Sequence, residues 1–426
     1  MGRHARRGRH ARRALWESRR RRGHWAAALA TLALLVAAPP PARALNFEEW
    51  LPGLTLTPFL SERIEYETNV FQSASDEKSS MISRTTPGFL VEYGRGTLQL
   101  AAGYRAEIVH YFDLEGLDTV NHNFVGQGKL TLAKLQLMFR DDYIQTTVPP
   151  GTELTGPIKS NTNTLAPTAE YKLTDRFSLG ANYTWTHISF PGSDSSSAAN
   201  AGAQAQQDQT VQQLDRDEHV TGLTVFWKFR PTADLGLGYQ YGTKTFTSAT
   251  ERNVHTHTVT FTVRGDVTSK LSSTFRIGIL HREEISGVAP NFTGLTMGGG
   301  WIFRMSDRTT FTLDTDRSVQ ESVFEGAQYY VSSSATFGVR QEFSRKLAAT
   351  FRTAVGTSDY NTRQPLDAFR TKWRHDNLAG GTLGLEYAIQ PWLRTGLDYT
   401  FQSRGSNFRP FNYEDSKIAG RITLQF

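Results

Sequence analysis

Residues 393–402, "LRTGLDYTFQ", put Leu393, Thr395, Leu397, Tyr399 and Phe401 on one face of an extended chain and Arg394, Gly396, Asp398, Thr400 and Gln402 on the other. Strand side chains alternate between faces, so this stretch reads as a β-strand with one apolar and one polar side. The same period of two runs through "TLQLAAGYRAEI" (97–108), "DLGLGYQYGTK" (234–244), "LSSTFRIGIL" (271–280) and "GTLGLEYAI" (381–389). Eighteen such segments can be counted, with sixteen as the alternative count.

The connections between the segments fall into two classes. Short ones include "GRG" (94–96), "TDR" (174–176), "VTSK" (267–270) and "SRK" (344–346); long ones include 112–120, 148–160, 190–217 and 358–375. Tight turns on one rim and long loops on the other are the asymmetry of an outer-membrane barrel. The fold expected is therefore all-β, a transmembrane antiparallel up-and-down β-barrel in one domain. From Leu45 onward the chain allows about 21 residues per strand and connection, enough for strands of roughly 10 residues crossing at a tilt. A propeller or solenoid would repeat its connections with each blade or coil, and these do not repeat.

Of 47 Lys and Arg, eleven Arg lie in the first 44 residues beside the single acid Glu17, so the rest of the chain is slightly acidic and gives no basis for nucleic-acid binding. That front runs into an apolar stretch from Trp25 to Ala38, then three prolines and Ala42-Arg43-Ala44. This reads as a signal peptide over 1–44 with the barrel over 45–426. As a helix the apolar stretch would rise about 21 Å, short of the roughly 30 Å hydrocarbon core. The chain has no cysteine, which excludes thiol chemistry, disulfides and a lipidated Cys.

The chain ends "RITLQF" (421–426), an alternation that stops on an aromatic. In a closed barrel the last strand pairs with the first and needs no polar tail. Ile422, Leu424 and Phe426 also resemble the C-terminal signal read by the barrel-assembly machinery. Tyr93, Tyr111, Tyr171, Trp185, Trp227, Phe229, Trp301, Phe303, Phe343, Tyr387 and Trp392 lie near strand ends, where aromatic girdles meet the headgroups.

The stretch "YETNVF" (66–71), with Asn69, Val70 and Phe71, is followed by Pro87-Gly88 leading into a second strand and Gly103-Tyr104 in a third. With "YKLTDRFSLGANYTW" (171–185), these residues resemble the type-2 outer-membrane β-barrel porin family. Position 68 departs from it, with Thr where the family has Asp. The resemblance implies an outer-membrane pore whose relatives are often associated with exopolysaccharide export, and periplasmic export components as partners.

The polar faces nominate lumen residues: Arg105, Glu107, Arg140, Asp142, Lys228, Lys244, Arg264, Arg276, Asp314, Arg340, Arg352, Glu386, Arg394, Asp398 and Arg421. Such a wall, slightly cationic, suits neutral or anionic sugars; the same residues would also serve as Arg–carboxylate braces of a wide barrel. His255-x-His257 lacks a third ligand in register and reads as solvated, and no catalytic or phosphate-binding motif occurs. No enzyme, cofactor or metal is expected. The expected function is passage of exopolysaccharide or oligosaccharide across a Gram-negative outer membrane, in contact with its lipid. The alternatives are a general or solute-selective diffusion porin, and a closed structural or adhesion barrel acting through its loops. Loop 191–217, rich in Ser, Ala, Gly and Gln, would lie disordered outside or fold inward as a plug.

Overall fold

The computed structural model describes residues 45–46, 51–148, 158–192, 211–287, 290–322, 327–367 and 370–426. The segment read as a signal peptide and the middle of loop 191–217 lie outside the described residues.

Eighteen antiparallel strands form one sheet. They are β1 Leu54–Glu67, β2 Ser80–Arg95, β3 Leu98–Tyr111, β4 Thr119–Thr131, β5 Leu135–Val148, an interrupted β6 of Ile158–Leu165 and Thr168–Lys172, β7 Phe177–Ser189, β8 Arg216–Arg230 and β9 Ala233–Phe246. They continue as β10 Val254–Asp266, β11 Leu271–Glu284, β12 Phe292–Ser306, β13 Thr309–Glu321, β14 Tyr329–Glu342, β15 Leu347–Asp367, β16 Arg370–Gln390, β17 Leu393–Ser406 and β18 Tyr413–Gln425. Each pairs with its neighbours in sequence, and β18 returns to β1 from Phe59↔Gln425 to Glu67↔Lys417. The sheet is a closed barrel with no open edge. Leu45–Asn46 adds a short pairing onto Leu56 and Thr55 of β1.

Burial is inverted relative to a soluble protein. Leu223, Leu237, Val259, Ile279, Val355, Leu383, Leu397 and Ile418 are all exposed, and they occupy the same parity along their strands. This is the outward, lipid-facing surface; the opposite parity looks into the lumen. The last strand follows the rule at Ile418, whereas Leu424, of the same parity, is buried against its ladder partners Leu393 and Leu60. The Phe426 N–H donates to Pro58 O (3.0 Å), tying the chain end to the first strand.

The short turns repeat one device. Thr174 Oγ1 accepts from the backbone of Arg176 and Phe177, Thr268 Oγ1 from Lys270 and Leu271, and Ser344 Oγ from Lys346 and Leu347. A hydroxyl thus takes up turn N–H groups that the ladder has not yet satisfied.

Several expectations change in detail. Most strands run 13–16 residues, longer than the span of the bilayer alone requires. The stretch 358–375, read as a long loop, is mostly ladder, because β15 and β16 extend to 21 residues each. The two strands pair through it with register irregularities between Asp359 and Arg363 and between Pro365 and Asp367. Strand β6 breaks at Ala166-Pro167, since proline cannot donate to the ladder. Pro87-Gly88 does not start β2 but lies in its middle: a Cβ at Gly88 would stand 2.4 Å from the Phe59 ring and 2.6 Å from Tyr104 O. Gly299, at φ +100°, likewise approaches Thr274 O where the β11–β12 ladder is interrupted.

At the long-loop end, loops fold inward onto small apolar clusters. Val70 packs on Ile82, Val109 and Tyr111, with Phe71, Leu114 and Leu117 beside them. Asn69, wholly buried, fixes this loop: its Nδ2 donates to Ser73 O (2.9 Å) and Glu414 O (3.1 Å), and its backbone N–H donates to Asp415 Oδ1 (3.0 Å). Thr68 Oγ1 also donates to Asp415 Oδ1. An aspartate at 68 would instead face that carboxylate, which accounts for the departure noted at this position. Tyr111 belongs to this cluster and not to an outer girdle, whereas Tyr171, Trp227, Phe303, Phe343 and Tyr387 are exposed outward.

Candidate functional site: the lumen wall

Strand parity places all fifteen nominated charged residues on the inward face, each flanked along its strand by outward side chains. They divide into braces and free charges.

The braces are hydrogen-bonded ion pairs. Arg140 holds Asp142 with both Nε and Nη2, the latter 2.7 Å from Oδ1. Glu107 Oε2 accepts from Asn121 Nδ2 (2.9 Å) and lies 3.4 Å from Arg84 Nη1. Arg264 donates through Nη2 to Glu170 Oε1 (2.7 Å) and Asp234 Oδ2 (3.0 Å), and its guanidinium lies 3.5 Å from the Phe226 ring centroid. A Cβ at Gly180 or Gly236 would collide with that ring, so these glycines let it lie flat on the wall.

Nearer the long-loop mouth, Lys244 joins a buried cluster the reading did not foresee. Its Nζ lies 2.9 Å from Glu321 Oε1, and Arg282 Nη1 is 2.7 Å from the same oxygen while Arg282 Nε holds Glu284. Arg282 also lies over the Tyr329 ring. Arg252 Nη2 donates to Ser322 O and Gln328 O, pinning the described ends of the β13–β14 loop onto the wall of β9 to β11. The described end of loop 191–217 returns to the same mouth, with Leu214 against Phe246, Ala249 and Phe190.

Five of the nominated residues meet in one recess of about 490 Å³ in the wall of β13 to β18: Arg340, Arg352, Glu386, Asp398 and Arg421. Gly338 and Gly384 open it. A Cβ at Gly338 would stand 2.4 Å from Thr312 Oγ1, and one at Gly384 would stand 2.6 Å from Thr350 Oγ1 and 2.8 Å from Asp398 Oδ1. Thr310, Thr312, Thr350 and Thr382 supply hydroxyls. Both carboxylates are already engaged: Glu386 lies 3.7 Å from Arg421 and 3.9 Å from Arg394, and Asp398 lies 3.8 Å from Arg63. Arg340 reaches Glu342 at 3.3 Å. Arg352 is exposed and has no ion-pair partner among the described residues. Arg105, Arg276 and Lys228 are likewise exposed without one among the described residues, and so is one acid, Asp314. A polar, hydroxyl-rich wall therefore presents more free cations than free anions among its nominated residues.

Four further inward charges, not among those nominated from the sequence, join the braces: Glu65 meets Arg63 (2.8 Å) and Arg84 (2.7 Å), and Glu67 meets Lys417 (2.7 Å). For Arg63, Glu65 and Glu67 the signal was the alternation in "SERIEYE" (61–67), and Arg84 lies in "ISRTT" (82–86). His255 and His257 face outward, each against a tyrosine, and no cluster of metal-ligand type occurs among the described residues.

A family model described as "Putative beta-barrel porin 2" matches residues 53–426. Nothing matches among proteins of curated function. Solved structures to which the chain is similar include the outer-membrane protein OpdK from Pseudomonas aeruginosa, at 12% identity and TM-score 0.46, covering 87% of this chain and 99% of that one. OccAB3 from Acinetobacter baumannii has 10% identity and TM-score 0.46 over 87% and 99%. A structure titled as a bacterial polysaccharide outer-membrane secretin has 9% identity and TM-score 0.34 over 86% and 98%.

Proposed function

Because the chain belongs to the family described as "Putative beta-barrel porin 2", and its fold is that of outer-membrane transport channels, we propose that it passes anionic saccharides, from sugar acids to oligomers of exopolysaccharide, across a Gram-negative outer membrane. Passage is passive diffusion along the wall, without a chemical step. The observation that carries this reading is the set of arginines without an ion-pair partner among the described residues, Arg105, Arg276 and Arg352, on a wall whose recess offers threonine hydroxyls. Guanidinium groups pair with carboxylates through a planar fork, and hydroxyls exchange hydrogen bonds with sugar hydroxyls. For an exported polymer, periplasmic export components would dock on the short-turn rim.

One observation favours the second reading, a general diffusion porin. The inward aromatics of the lower wall, Phe59 and Phe226, are taken up by Gly88 and Arg264 and offer no stacking track for a sugar chain. Liposome swelling with a hexuronate, a neutral hexose and an aminohexose of similar size separates the readings. Faster entry of the acid supports the first, equal rates support general diffusion, and no swelling supports the closed barrel.

A further inference from the structure

Beyond residue 44 the sequence has eight histidines, and strand parity turns every one outward, near the long-loop end of its strand. Four share one geometry. Tyr104 Oη is 2.8 Å from His122 Nδ1, Tyr183 from His219 (2.8 Å), Tyr239 from His257 (2.7 Å) and Tyr241 from His255 (2.8 Å). With the phenol as donor, Nδ1 is the acceptor and the proton sits on Nε2. That N–H has no protein partner among the described residues in any of the four. The other four are differently engaged: His110 with Asp118, His187 with Asp217, His375 with Asp359, and His281 with Thr293. Glu283 stands across the ladder from His255.

The level of these rings follows from strand geometry. On their own strands the four rings stand eight to ten residues above outward positions of the short-turn end, Leu130 to His122, Trp227 to His219, and Gly265 to His257 and His255. At about 3.3 Å per residue and roughly 40° of tilt this is a rise of about 20–25 Å, the upper edge of the apolar band of such barrels, so the imidazoles stand next to the headgroups on the long-loop side. The short-turn rim carries Trp227, Phe303, Phe343 and Tyr387 outward, and no histidine among the described residues. A donor set present at one rim alone suits a headgroup present in one leaflet alone.

We propose that the four tyrosine-held imidazoles form an outward belt that donates Nε2–H hydrogen bonds to the phosphate groups of phosphorylated glycolipid in the outer leaflet. Tyrosine fixes each ring's tautomer and aim, and phosphate, as an anionic acceptor, strengthens each bond. The site is independent of the lumen and of any cargo.

The test uses the full-length barrel in nonionic detergent, with bis-phosphorylated lipid A and its dephosphorylated form as probes, and reads retained lipid by native mass spectrometry. The intact protein should retain the phosphorylated form about tenfold better, and H122F/H219F/H255F/H257F should lose that preference, as expected for several hydrogen bonds of modest individual strength. Unchanged conductance shows that the variant barrel is intact. If it does not fold, Y239F/Y241F, which releases two rings without removing them, should reduce the preference about threefold. Equal retention of the two lipids, or an undiminished preference in whichever variant folds, overturns the proposal.

Discussion

Replacing Arg352 should change ion selectivity by an amount that can be worked out. The side chain is exposed on the lumen wall and has no counter-ion among the described residues. An anion passing about 6 Å from the guanidinium in a water-like medium gains about 0.7 kcal/mol, or about threefold in local concentration. At 0.1 M salt the Debye length of about 10 Å cuts this to about twofold, and at 0.01 M about 2.6-fold survives. Because the same charge repels a cation by the factor with which it attracts an anion, R352Q should lower the anion-to-cation permeability ratio by about fourfold at 0.1 M, and R352E, which swings two charges, by about 13-fold, rising to about 45-fold at 0.01 M. The assay is reversal potential across a salt gradient in planar bilayers. An unchanged ratio for R352E at low salt would refute the placement of this charge on the permeation path. A shift that persists undiminished at 1 M salt would show that the substitution acts by rearranging the wall.

Other outcomes follow from the packing. E321Q leaves Arg282 and Lys244 buried without their shared carboxylate and should cost about 3–5 kcal/mol in urea unfolding of the refolded barrel; an unchanged midpoint would contradict the burial of this cluster. G88A should cost about 1–3 kcal/mol by overpacking against Phe59 and Tyr104 O, with partial recovery in G88A/F59A, and additive costs would show that the ring is not the obstacle. N69A removes the side-chain bonds that hold the 67–80 loop and should speed tryptic cleavage after the surface residue Lys78 in intact barrels by loosening the loop, whereas an unchanged cleavage rate would mean that Val70 alone holds it. A cysteine at Gly116 should label on whole cells and one at Thr268 only after lysis; the reverse pattern would invert the rims.

The barrel was legible because period-two alternation needs no partner to be visible, and because short and long connections mark the two rims. Inward placement of charges from Arg105 to Arg421 follows from the same parity. What escaped depends on three-dimensional closure. Glu321 lies on a strand whose tip folds inward, so parity along β13 gives no hint that it meets Arg282 and Lys244. Pairing is equally hidden: Arg140 and Arg352 look alike in sequence, yet one is clamped by Asp142 two residues on and the other has no ion-pair partner among the described residues. The Pro87-Gly88 pair reads as a strand start because proline and glycine usually punctuate, whereas here Gly88 makes room for an aromatic on the neighbouring strand. The histidine belt was visible only as His255-x-His257, since the other rings come from distant strands.

The most direct test of the account is single-channel recording of the purified barrel in planar bilayers at low salt. Steady conductance steps are expected, with a reversal potential on the anion side and a step size reduced by added hexuronate oligomers. Silence, or steps selective for cations and indifferent to the oligomers, would contradict it.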